Sequence, residues 1–107
     1  MAGGVYTKRN YTGVLTPVVA TVTASGDTII HTPASGKRIK LKWISCINDP
    51  DESSTPLIKV FLGSLELYRV YAVSHWEDFV GGVNESLIIN LGGSGSVAVT
   101  AHLQEIN

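Results

Sequence analysis

The sequence predicts an all-β fold: an antiparallel β-sandwich, jelly-roll-like, of seven to eight short strands behind an extended N-terminal arm. Three observations predict it. Runs of alternating apolar and polar residues recur every 8 to 12 residues or so, the spacing of short strands joined by turns. Val, Ile and Thr are plentiful, and glycine clusters such as SGD, ASG, GGV and GGSG punctuate the runs. No stretch reads as a helix.

A chain of 107 residues is long enough to bury one core without metals or disulfides. The expected division is an arm over 1–17 and one sandwich domain over 18–107. The arm, MAGGVYTKRNYTGVLTP, has no clean period, yet Val5, Tyr6, Tyr11, Val14 and Leu15 are too apolar for a purely solvated tail. It reads as either frayed or ordered on a partner, with its apolar residues as anchors and Lys8 and Arg9 meeting an acidic surface.

Within the domain, VVATVTA (18–24) alternates Val18, Ala20 and Val22 against Val19, Thr21 and Thr23. IIHT (29–32) is a short strand ended by Pro33. KRIKLKWISCI (37–47) places Ile39, Leu41, Trp43 and Ile47 on one face and Arg38, Lys40 and Lys42 on the other. Ile44 and Cys46 then follow the cations on that second face, as in a strand wet at its start and covered at its end.

DPDESSTP (49–56) is a polar loop, and LIKVFL (57–62) a strand with Ile58, Val60 and Leu62 on one side. ELYRVYAV (66–73) reads as a strand, SHWEDF (74–79) and GGVNES (81–86) as connections, and LIINL (87–91) as a strand. SVAVTAHLQEI (96–106) alternates most cleanly, with Val97, Val99, Ala101 and Leu103 inward. An OB-fold barrel or an immunoglobulin-like sandwich stays open beside the jelly roll, although the paired cysteines of a true immunoglobulin domain are absent.

The N-terminus has no apolar signal core, and no apolar run approaches the ~20 residues of a membrane helix. A soluble protein made in a reducing cytoplasm, with no membrane partner, is the expectation. Cys46 is the sole cysteine and reads as a small core residue. Residues 1–48 carry six cations against one acid, whereas 49–107 carry two cations against eight acids. Such asymmetry can mark a surface that meets its opposite on another copy.

Arg38, Lys40 and Lys42 form an interface rim or a polyanion surface. Nucleic-acid surfaces interleave aromatics with cations on one face, and Trp43 is expected to point away from these. With an overall charge of −1, no nucleic-acid partner is expected. Asn48, Asp49, Asp51 and Glu52 offer oxygen ligands but lack the glycine and spacing of a calcium loop, so they read as turn residues. His31, His75 and His102 sit on separate elements, with no HxH or CxxC spacing for a metal. No cofactor, no metal and no catalytic residue is assigned, and the expectation is a protein that is not an enzyme. Tyr68, Tyr71, Trp76 and Phe79 cluster in a short span; Phe79 reads as core, while Tyr71 and Trp76 are possible anchors for a ligand or partner.

The run ASGDTIIHTPASGKRIKLKWISCIN, with the ending GGVNESLIINLGGSGSVAVTAHLQEI, resembles small β-sandwich (jelly-roll) structural proteins of tailed bacteriophage virions. The resemblance covers roughly residues 20–106 and rests on turn-and-strand patterns. It implies a capsid decoration (cement) protein: a homo-oligomer, with a trimer favoured, bound to the major capsid or another virion protein, made in the host cytoplasm and located in the virion. The alternative is a carbohydrate-binding β-sandwich module that stacks sugars on Trp76 with Tyr71 or Tyr68. A single-strand binder of OB type is a third reading.

Overall fold

The computed structural model describes residues 16–107, and among these all regular structure is β. Eight strands follow in order: β1 (Thr16–Val22), β2 (Gly26–His31), β3 (Arg38–Asn48), β4 (Ile58–Leu62), β5 (Leu65–Val70), β6 (Ala72–Val80), β7 (Leu87–Leu91) and β8 (Val97–Ile106). The residues Val5, Tyr6, Lys8, Arg9, Tyr11 and Leu15 lie outside the described residues, while Thr16 and Pro17 already belong to β1.

Two four-stranded antiparallel sheets form, in the orders β1-β8-β3-β6 and β2-β7-β4-β5. The pairings explain the winding. β4 pairs with β5 through the two-residue turn Gly63-Ser64; moving outward along the chain, β3 pairs with β6, β2 with β7, and β1 with β8. The chain is thus one long hairpin rolled on itself, its two arms split between two sheets, which is a jelly roll. Neither an OB barrel nor an immunoglobulin sandwich has these pairings. Gly63 has φ 61°, the positive value that a tight turn demands at its first central position and that glycine adopts without strain.

Alternation builds the core. Ile39, Leu41, Ile44, Cys46, Val97, Val99, Ala101 and Leu103 from one sheet face Ile58, Val60, Leu62, Leu87, Ile89 and Leu91 from the other, and all are at most 2% exposed. Each Val, Leu or Ile side chain among them stabilises the fold by about 1.5–3 kcal/mol relative to an exposed one. Phe79, as expected, packs against this core.

Three expectations are corrected. β3 does not keep one parity. Leu41 pairs with Leu103 but Trp43 pairs with His102, so Lys42 is an extra residue in a β-bulge. The bulge turns Trp43 and Ile47 outward and carries Ile44 and Cys46 into the core, which is why the apolar residues changed face after the cations. Second, 74–79 is no connection, because β6 runs from Ala72 to Val80 beside β3. As an edge strand it needs only one neighbour, and its polar residues blunt the open side. Third, 66–73 is interrupted at Tyr71, where the chain passes from one sheet to the other and the Asn48 side-chain N–H donates to the Tyr71 carbonyl at 2.8 Å.

A candidate interaction face

The residues that could meet a partner lie on the outer surface of the β1-β8-β3-β6 sheet. Its register arranges them in transverse rows. Pro17, His102, Trp43 and Trp76 form one row across all four strands. The next is Val19, Thr100, Ser45 and Ser74, and the third Thr21, Ala98, Ile47 and Ala72. Three gaps of ~4.8 Å between strands make each row about 14 Å wide.

The first row is an aromatic stripe. Trp43 and Trp76 have ring centroids 5.9 Å apart at 44°, and the His102 ring lies 5.1 Å from Trp43 and 6.3 Å from Trp76. Trp76 is 54% exposed, Val19 76%, Ile47 52% and Val80 42%. Small residues between them leave the face flat. Large exposed apolar side chains thus stand on this face among the hydroxyl-bearing residues Thr100, Ser45, Ser74 and Thr21.

The cations behave differently from a free row of phosphate ligands. Lys42 pairs with Asp78 while its own side chain is only 11% exposed. Its hydrogen bond holds the Asp78 carboxyl below the usual carboxylate range, and the charges of Lys42 and Lys40 add to this. Arg38 donates to the main-chain oxygen of Asn107, and Lys37 to the Asn107 side chain, at the end of the sandwich that carries the C-terminus. Lys40 and Lys42 do share the outer face with Trp43, so the expectation that Trp43 points away from them is overturned by the bulge. The segregation of charge along the chain does not carry over whole into the fold, since Lys42 of the first half meets Asp78 of the second within one copy.

His31 Nε2 lies 2.7 Å from Glu105 Oε2, and the Ala34 N–H donates to Glu105 Oε1 at 3.0 Å. The hydrogen bond to His31, then that from Ala34, holds the Glu105 carboxyl below its ordinary range. A carboxylate with a lowered folded value contributes stability that is present above the ordinary value and lost as pH falls through the folded one. Wild-type melting temperature should therefore fall more steeply than that of Glu105→Gln between roughly pH 5 and pH 3. Parallel slopes in a thermal melt series would refute the clasp.

The remaining candidates have structural work. Asp49 accepts the Asp51 N–H on its side chain at 2.9 Å, which makes 48–52 a side-chain-stabilised turn. His75 stacks on Tyr68 at 6.0 Å, and Tyr68 meets Phe79 edge-on at 6.1 Å, closing the side of the sandwich between β5 and β6. Tyr71, 62% exposed, sits at the crossing between sheets, five positions from Trp76; the aromatic neighbour of Trp76 on the face is Trp43. Among the described residues no group of three or more His, Cys, Asp or Glu side chains converges on a metal position. Cys46 is fully buried, and burial pushes its thiol up to about 12. A thiol reagent at pH 8 should modify the folded protein roughly a thousandfold more slowly than the denatured chain, measured by absorbance. Rapid native labelling would show that Cys46 is reachable.

Sequence reasoning named Trp76 but not the stripe. Its signal was the apolar pair Ile44 and Cys46 on an otherwise cationic face, which required a bulge. No protein-family model, no curated protein and no solved structure matches this chain.

Proposed function

We propose that the protein is a non-enzymatic structural protein that self-associates and binds the surface of a larger particle, as a capsid decoration protein of a tailed phage would. The observation that carries the reading is the outer face of the β1-β8-β3-β6 sheet, where Trp43, Trp76, Val19, Ile47 and Val80 stand among small residues. Such a face contributes free energy by burial against a flat partner, and the indoles are the side chains most often found as energetic anchors. The lone cysteine is sealed in the core, His31 bonds Glu105, His75 stacks on Tyr68 and His102 lies against Trp43.

A trimer is the assembly proposed for such a particle lattice, with the arm residues Val5, Tyr6, Lys8, Arg9, Tyr11 and Leu15 adding contact and the major capsid or another virion protein as the surface bound. Light scattering on the full chain tests this. A mass near three times 11.4 kDa is expected, and 11.4 kDa at all concentrations would sink self-association.

The stripe also favours a second reading, stacking of a glycan on Trp76 with Trp43 as the adjoining platform. That reading expects a monomer whose indole emission shifts on adding glycans.

A further inference from the structure

We propose that the outer face of the β2-β7-β4-β5 sheet, opposite the aromatic stripe, carries a binding site for one neutral sugar ring. The site is independent of the self-association reading. Alternation builds it. Ile58, Val60 and Leu62 of β4 and Leu87, Ile89 and Leu91 of β7 fill the core, so Lys59, Phe61, Ile88 and Asn90 point the other way. Register then sets them in two rows. Asp27, Asn90 and Lys59 are neighbours on β2, β7 and β4, and in the next row Ile88 of β7 stands beside Phe61 of β4. With Ser64 of the β4-β5 turn, these residues line a recess of about 190 Å³. A cavity of about 150 Å³ admits benzene, so the recess has room for one six-membered ring with substituents.

The chemistry of the lining selects the ring. The Asn90 side-chain N–H donates to Asp27 Oδ1 at 2.7 Å, which sets amide and carboxylate side by side and leaves the second Asp27 oxygen to accept. Arg69, the next residue along that row, is taken by Glu66 at 3.1 and 3.2 Å. Lys59 enters no salt bridge among the described residues and acts on Glu66 only as a more distant charge, so its ammonium can donate into the recess. Acceptor, amide and donor thus follow one another across three strands, about 10 Å in all. Hydroxyls both donate and accept, so a polyol meets all three groups, whereas a simple ion satisfies only some. The charges of Asp27 and Lys59 cancel, which favours a neutral ligand. Phe61 and Ile88, both half-buried, give an apolar floor to the C–H face of the ring.

The test is an amide ¹H–¹⁵N titration of the full chain with glucose, galactose, mannose and N-acetylglucosamine, and with glucuronate and glucosamine as charged counterparts. At least one neutral sugar should shift the Lys59, Phe61, Ile88 and Asn90 amides with a dissociation constant on the order of 1–10 mM, the scale of so small a ligand. The Trp43 and Trp76 indole N–H signals should stay in place. Asp27→Ala and Lys59→Met, both changes at the surface, should each weaken binding at least about fivefold while the spectrum keeps its dispersion. No shift with any of the four neutral sugars at about 50 mM overturns the site. Equal affinity in both variants, or equal binding of the charged counterparts, overturns it as well. Shifts confined to the indoles overturn it too and place the sugar on the stripe.

Discussion

Leu41→Ala should destabilise the protein by about 3–4 kcal/mol, measured by urea unfolding. Leu41 has no exposed surface and pairs with Leu103 on one side and Phe79 on the other, in the last regular position before the bulge. Removing three side-chain carbons there forfeits their burial and leaves a cavity, because the strands on either side are held by ladder hydrogen bonds and cannot collapse into it. The loss is a large share of the 5–15 kcal/mol typical of a whole domain. A change below about 1 kcal/mol would mean that the two sheets are not packed as described.

The second large effect is on assembly. Trp76→Ala should weaken self-association by about 2 kcal/mol or more, some thirtyfold, while lowering folding stability by no more than about 1 kcal/mol. The contrast follows from its position. Trp76 is half exposed and meets Trp43 and His102 on the outer face, so the fold loses mainly ring contacts whereas an interface loses its anchor. Val83→Ala removes a similarly exposed side chain, 55% exposed, from the loop between β6 and β7 and should change neither quantity. Equal dissociation constants for Trp76→Ala and wild type by light scattering would remove the face from the interface. A weakened glycan response in an unchanged monomer would move the stripe to the carbohydrate reading.

The strands were legible wherever one period ran unbroken. Val97, Val99, Ala101 and Leu103 alternate without exception and are fully buried, and Ile58, Val60 and Leu62 behave alike. β3 shows why other parts were not legible. KLKW reads equally well as four alternating positions or as three positions and an extra residue, because a bulge is two residues sharing one slot of the neighbouring strand. Only the neighbour, β8, 60 residues away, decides which. β6 was missed for a related reason: an edge strand needs few apolar residues, so SHWEDF carries the polarity of a loop.

By itself, then, the sequence determined that this chain is a sandwich of short strands with one apolar side each, since side-chain alternation is a local consequence of extended backbone. It determined too that Cys46 and Phe79 belong to the core. Tertiary structure alone decided the jelly-roll pairing, the outward turn of Trp43 and the assembly of Pro17, His102, Trp43 and Trp76 into one row. Those four residues come from four strands, and their adjacency is set by hydrogen-bond register between distant segments, a quantity that no local period contains.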